Sequence, residues 1–474
     1  MINKKQAIEV LNECLATGAD YAEIYIEETN SKSYATENGK VDSASVSKTH
    51  GAGIRLLNDL QSVYGYTNNI EKNGLLSLAK SLAASFNGEQ RVKITNLKIK
   101  KVKNNHPHLR PYDEVSDEEK IAYLKKGDEA MNIDEKIVRR AASLAHYTKK
   151  VTLINSKGFI FKDEKERGRL SLSCIAKDGD KIETAYEGPG ASAGFEYLEN
   201  SVDPAKLGKD VASTAIKMLY AKECPSGKMP VVIGNGFGGV IFHEACGHAL
   251  EASAVSKNLS VFANKLGQQI ASEVVTAYDD GTIENGWGSN NIDDEGNKTQ
   301  RTLLIENGIL KSYLIDDFNG RRMNMKGNGA CRRQNYKYEP TSRMSNTFIA
   351  NGKSTPEEII KATKLGLYTK SLKGGSVNPA TGEFNFGCSE AYIIRDGKIC
   401  EPVRGASLIG SGAEVLMHID MVGNDLKRAQ GMCGAASGSI PADVGQPTIR
   451  VSEILVGGNG GELKWDLIQK NSLN

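Results

Sequence analysis

Long apolar runs are missing from this 474-residue chain: no stretch approaches the roughly 20 consecutive apolar residues that a membrane-spanning helix requires. An excess of one charge is missing too. Lys and Arg number 60 against 58 Asp and Glu, so no net field draws the chain to a polyanion, and neither nucleic acid nor a membrane is an expected partner. The first ten residues, Met1-Ile-Asn-Lys-Lys-Gln-Ala-Ile-Glu-Val10, put polar and acidic groups where a secretory signal carries its apolar centre. A cytoplasmic location is the expectation. Cysteines number only 8 and no two form a CxxC, so a disulfide framework is not expected. Histidine is scarcer still, with 7, so two of them close together carry weight.

The chain reads as an α+β fold in two parts, an N-terminal α+β domain over 1–225 and a β-rich domain over 226–474. At 39% hydrophobic residues, the length can fill more than one core. The first half repeats one pattern. Apolar residues at helical spacing over 5–15 precede short alternating runs near Ala22–Glu28, Gly51–Leu57 and Ser62–Thr67, and a second helical run begins at Asn73. The order recurs as a helix over Asp117–Met131, strands near Val138–Thr148, Lys150–Asn155, Gly158–Lys162 and Leu170–Ala176, and a helix over Pro204–Leu219. This suggests an internal duplication, with subdomains at 1–97 and 112–225. Between them, Lys98–Arg110 reads as a solvated linker rather than a phosphate patch, because no aromatic residue interleaves with its charges. His106 and His108 are expected in solvent there.

Beyond Lys228 glycine becomes frequent, and turn signals separate apolar runs at Asp279-Asp280-Gly281, Glu306-Asn307-Gly308, Ala350-Asn351-Gly352 and Arg395-Asp396-Gly397. These predict hairpins in a mostly antiparallel β domain. One helix interrupts it. Met229–Ile233 reads as a strand, Gly234-Asn-Gly-Phe-Gly-Gly239 follows, and Val240–Ala252 reads as a helix. Glycines 234, 236 and 239 satisfy GxGxxG, but no second buried strand follows the helix, as a dinucleotide fold requires.

His243-Glu244-x-x-x-His248 is the sharper signal. Two imidazoles and a carboxylate are what a hydrolytic metal site needs: the rings hold a Lewis-acidic ion, and the carboxylate takes a proton from water. Spacing i, i+5 sets the histidines about 140° apart on a regular helix, too far round for one ion. The spacing therefore predicts a local distortion at Cys246–Gly247, with Gly247 relaxing the turn. A third donor must come from elsewhere, and the candidates are His418 and the cysteines. His418 lies in an alternating run and reads as structural, and Cys246 shares an apolar face with Phe242 and Leu250. Cys433, in Gly431-Met-Cys-Gly434, reads as a glycine-flanked turn that lifts a thiolate out of the fold.

These strings resemble the TldD/PmbA family of metalloproteases, on the side of its motif-bearing members. The resemblance spans nearly the whole chain. Besides His243–Glu251 it rests on Val275-Thr-Ala-Tyr-Asp-Asp-Gly-Thr282, Arg343-Met-Ser-Asn-Thr347, Gly374–Phe384, Met421-Val-Gly-Asn-Asp425, Gly431-Met-Cys-Gly434 and Val444–Arg450, with Gly53-Ile-Arg55 and Tyr64–Thr67 in the first half. It implies His243, His248 and Cys433 as ligands of one zinc ion, Glu244 as general base, and a peptide substrate taken unfolded into an enclosed cavity. It also implies a homodimer, or a heterodimer with a PmbA/TldE-type chain. Many relatives carry an acid two residues after the glutamate that follows the motif, where this chain has Ser253; an outer-shell role for that acid is in doubt here. Arg332, Arg333 and Arg343, near glycine-rich turns, read equally as substrate contacts or surface ion pairs. The leading expectation is a zinc-dependent metallopeptidase. The alternatives are a non-catalytic assembly subunit and a nucleotide-binding protein using Gly234–Gly239.

Overall fold

In the computed structural model, which describes residues 2–378 and 381–463, two copies of one unit share a sheet in the first half. Each copy runs helix, long strand, long strand, short strand, helix. The first comprises Lys4–Leu15, Tyr21–Glu37, Lys40–Asn58, Gln61–Thr67 and Lys72–Ala83. The second comprises Asp117–Ala130, Ile137–Asn155, Phe159–Asp178, Lys181–Glu187 and Pro204–Leu219. The copies meet through their first long strands, paired antiparallel from Glu23↔Asn155 to Glu37↔Ala141. Joining equivalent strands antiparallel relates the units by an approximate twofold axis. Helix starts are locally specified: Asn3 and Gln6 form a capping box, Ser116 caps a first turn carrying three acids, and Asp203 caps a helix opening on Pro204. Each helix pair closes its own core, Val10, Leu11 and Cys14 with Leu75 and Ala79 in one, Leu124 with Val211 and Ala215 in the other.

The strands run longer than alternation suggests. The expected breaks near Lys149 and between Lys162 and Leu170 lie inside continuous strands, and Lys40–Lys48, exposed throughout, extends the ladder beyond the core. Backbone pairing carries strands where no apolar side is buried, so their side chains give no alternation to read.

The linker expectation is overturned. Lys98–Lys100 pairs in parallel with Phe159–Phe161, and the segment then packs against the second half. His106 is 3% exposed, and its Nδ1 accepts the Asn285 N–H at 3.1 Å. Burial, aided by the Arg167 charge, lowers its imidazole to about 4. His108 is largely buried beside Glu166. Side-chain amides make this possible: Asn291 Oδ1 accepts the Asn105 N–H and Asn104 Oδ1 accepts that of His106, so a polar loop is satisfied away from water.

The second half is β-rich and mostly antiparallel. Gly227–Ile233, Leu365–Val377, Glu383–Arg395, Ser407–Ser411 and Ile449–Gly457 pair in a closed ring. A second sheet runs Ile309–Leu310, Arg301–Glu306, Ala277–Asp280, Asn346–Ile349, Gly438–Gln446, Lys427–Ala435, with the last strand on a free edge. Of the four turn signals, two make hairpins. Asn307–Gly308 and Asp396–Gly397 each place two consecutive residues at positive φ, the geometry of a tight two-residue turn. After Gly281 and Gly352 the chain instead runs into a loop and toward the helix Pro356–Lys361. Among the described residues no helix is long and apolar enough to cross a membrane.

Buried charges join the halves. Arg55 reaches Glu23 at 2.9 Å and Glu295 at 2.6 Å, and Arg333 reaches Glu23 at 2.6 Å, all within side chains almost wholly buried. Removing one member leaves the others uncompensated. Arg333→Met is therefore expected to lower unfolding stability by about 3–5 kcal/mol in a urea titration, more than a surface Arg→Met control such as Arg139→Met.

Candidate metal centre

The motif segment is a string of short turns rather than one helix. A 3-10 turn over Gly236–Gly239 leads through Val240–Phe242 into a π turn at His243–Gly247, and 3-10 geometry resumes at His248–Leu250. The His248 N–H donates to the His243 carbonyl, an i→i+5 bond. Five residues then close one turn, and the second imidazole comes round to the first. The rings stand 5.1 Å apart, edge to face. The distortion thus covers the whole motif. Gly247 does not supply it by unusual backbone freedom, since its φ of −54° and ψ of −50° are ordinary right-handed values. It supplies room: a Cβ there would lie 2.1 Å from the Met344 sulfur. Gly412 does likewise, its Cβ falling 2.0 Å from the Ala245 carbonyl oxygen. A Cβ at Gly239 would fall 2.5 Å from the Gly445 backbone, so the glycine-rich string packs the motif against the strand Gly438–Gln446.

Cys433 arrives from the other side. It sits within the edge strand Lys427–Ala435, opposite Ile440, and not in the turn expected of it. Its Sγ lies 3.3 Å from His243 Nε2 and 3.2 Å from His248 Nε2, and the three ligand atoms lie within 4.8 Å of one another. Donors bound to one tetrahedral zinc at 2.0–2.3 Å stand about 3.5 Å apart, so the donor set and its spacing fit such an ion. Burial opposes ionisation of the thiol, but the neighbouring His243 and His248 hold it down to about 4. Sulfur in that state is a ligand. Glu244, partly exposed, places Oε2 3.7 Å from His248 Nε2 and lines the same cavity of about 190 Å³.

Two residues complete the frame. Glu251 Oε1 lies 3.2 Å from His248 Nδ1; burial disfavours a charged ring, yet this carboxylate raises the His248 imidazole well above its ordinary value. An acid therefore does stand behind His248, supplied by Glu251 in the absence of one at Ser253. Its signal was its place three residues after His248, which one helical turn brings alongside. Arg343, fully buried, donates to the Cys433 carbonyl at 2.6 Å and the Gly438 carbonyl at 2.9 Å, with Nε 3.7 Å from Glu251. Arg332 and Arg333 are buried too. Surface ion pairing is overturned for all three, because each reaches inward to satisfy backbone carbonyls or buried acids. His418 takes no part, its Nδ1 lying 3.4 Å from Ser452 Oγ. Cys246 is fully buried, and burial pushes its thiol far up, as packing requires.

Comparisons with known proteins agree along the chain. Models of the PmbA/TldA metallopeptidase domain 1, central domain and C-terminal domain match residues 22–85, 110–219 and 226–458. The metalloprotease TldD homolog of Buchnera aphidicola subsp. Schizaphis graminum is 34% identical over 468 residues, 96% of each chain. That of Haemophilus influenzae is 35% identical over 452 residues, 93% of each. The crystal structure of TldE from Thermococcus kodakarensis, 18% identical, superposes with a TM-score of 0.74 over 96% of this chain and 99% of that one, which establishes a shared fold.

Outer carboxylates orient ligating imidazoles, and their removal typically weakens a site 10–100-fold. Glu251→Gln is expected to lower metal affinity by about that factor with the fold intact, measured by chelator competition alongside circular dichroism.

Proposed function

The chain belongs to the PmbA/TldD metallopeptidase family, and we propose that it is a zinc-dependent peptidase cleaving peptide bonds of unstructured chains. The observation that carries this reading is the convergence of His243, His248 and Cys433 on one point beside Glu244. Two imidazoles and a thiolate favour zinc over magnesium or calcium. An ion so held supplies Lewis acidity, activating water and polarising a carbonyl. Glu244 accepts the proton of the attacking water and returns it to the leaving amine. Glu251 fixes the His248 ring through Nδ1, leaving Nε2 turned to the site.

The surroundings suit an extended peptide. Cavities of about 470 and 540 Å³ flank the one at the metal centre, and Met432, on the free-edge strand beside Cys433, lines all three. The Asp443 N–H donates to the Ser345 carbonyl and the Ser439 N–H to Gln334 Oε1, both away from Lys427–Ala435. Their cross-strand partners Gln430 and Gly434, and Met432 between them, accordingly turn backbone groups outward, where Arg169 already holds the Gln430 carbonyl and the edge beyond it is left for a strand. A substrate adding there as a strand is held by its backbone, which suits broad sequence tolerance. We read the working form as a dimer, self-paired or with a PmbA/TldE-type chain, on the strength of the family.

The test is elemental analysis with cleavage of a disordered peptide. Glu244→Ala is expected to retain zinc and lose cleavage about 10²–10⁴-fold, and Cys433→Ser to lose the metal as well. Equal cleavage by wild type and Glu244→Ala ends the catalytic assignment in favour of an assembly subunit.

A further inference from the structure

The 470 Å³ cavity beside Met432 is strongly cationic. Its lining carries seven basic side chains, Lys32, Lys149, Lys165, Arg167, Arg169, Arg332 and Arg333, against two carboxylates, Glu27 and Asp294. Some of this charge is compensated. Lys32 lies 3.6 Å from Asp113 and Lys149 3.4 Å from Glu27, Arg333 is paired with Glu23, and Lys165 stands 3.8 Å from both Asp163 and Asp294. Arg167, Arg169 and Arg332 have no ion-pair partner among the described residues. Arg167 donates to the Trp287 and Ser289 carbonyls, to Asn290 Oδ1 and to the Tyr147 hydroxyl. Arg332 donates to the carbonyls of Met344 and Pro441, and Arg169 to those of Gly188 and Gln430. Arg167 and Arg332 are 3% and 4% exposed. Arg333, equally buried, keeps Nε and Nη1 without a hydrogen-bond acceptor.

Buried cations held only by neutral acceptors leave a positive potential in the space they face. Two neighbouring groups register it. Burial alone raises a phenol, yet Arg167, Lys149 and Lys165 bring Tyr147 below its ordinary value. Burial and the adjacent Arg167 charge lower the Arg332 guanidinium to about 10.

We propose that this cavity binds a carboxylate of the peptide, so that the centre prefers substrates bearing an acid on the side of the scissile bond that enters it. The proposal rests on the peptidase reading for its substrate, and on the cavity alone for its charge. Two sources share the chemistry, an Asp or Glu side chain and a free C-terminus. Cations and space suit either one.

Binding separates them. Fluorescein-labelled disordered peptides are titrated by anisotropy into full-length Glu244→Gln protein, as zinc-loaded and as chelator-treated samples. Each peptide is compared with its Glu→Gln counterpart and with its C-terminal amide. Loss of about tenfold in affinity, one charge-assisted hydrogen bond, on Glu→Gln assigns the side chain, and the same loss on amidation assigns the terminus. Lys165→Met and Arg169→Met, which leave the Arg167 and Arg332 carbonyl contacts in place, are expected to erase the difference. Equal affinity for the acidic, Gln and amide peptides overturns the proposal, as does a preference that both variants retain. Failure of the wild type to cleave any peptide, with the preference still present in the chelator-treated sample, overturns the peptidase reading and leaves the carboxylate site standing.

Discussion

A single buried guanidinium ties the candidate centre together. The candidate ligands come from segments 185 to 190 residues apart in the chain. Arg343 donates to the carbonyl of Cys433 on one side and stands against Glu251, the carboxylate behind His248, on the other. One planar guanidinium thus hydrogen-bonds the strand that carries the thiol and stands within ion-pair range of the acid behind the imidazole. Desolvating that charge is costly, and the cost is met by two carbonyls, Ser437 Oγ and one acid. Moving any of these partners would disturb both ligands together.

The π turn is the other half of the constraint. In a regular helix His243 and His248 would diverge; an i→i+5 bond brings them to one side. Such a turn gives up regular α-helical hydrogen bonding, and its surroundings hold it in place. Met344 fills the space above Gly247, and the Ala245 carbonyl lies against Gly412. Glycine acts here through close approach, with backbone angles any residue adopts.

Much of this was legible in the sequence, and the parts that were not share a cause. Repeated helix–strand order, the hairpin at Asp396–Gly397 and the strained spacing of His243 and His248 are local signals, carried by neighbouring residues. The long polar strands were not legible, because Lys40–Lys48 pairs through backbone and buries nothing. Nor was the burial of His106, whose partner Asn285 is 179 residues away. Arg343 read equally as a substrate contact or a surface ion pair for the same reason: what makes it internal is carbonyls contributed by a distant hairpin.

Distance in sequence also explains why the cationic cavity lies beside the metal centre. Its walls come from the long strands of the first half, through Lys149, Lys165 and Arg167, and from the second half, through Arg332 and Met432. The chain's near-neutral total conceals this, since 60 basic and 58 acidic residues sum to almost nothing while folding sorts them in space. At the junction of the halves, Glu23 and Glu295 neutralise Arg55 and Arg333 deep inside. Further out, Arg167 and Arg332 are left with neutral acceptors alone. The same interface that fastens the two halves thus ends in uncompensated positive charge where the open strand edge begins. In the proposed peptidase, that gradient from paired ions to unpaired cations would let a groove that holds backbone also sense charge.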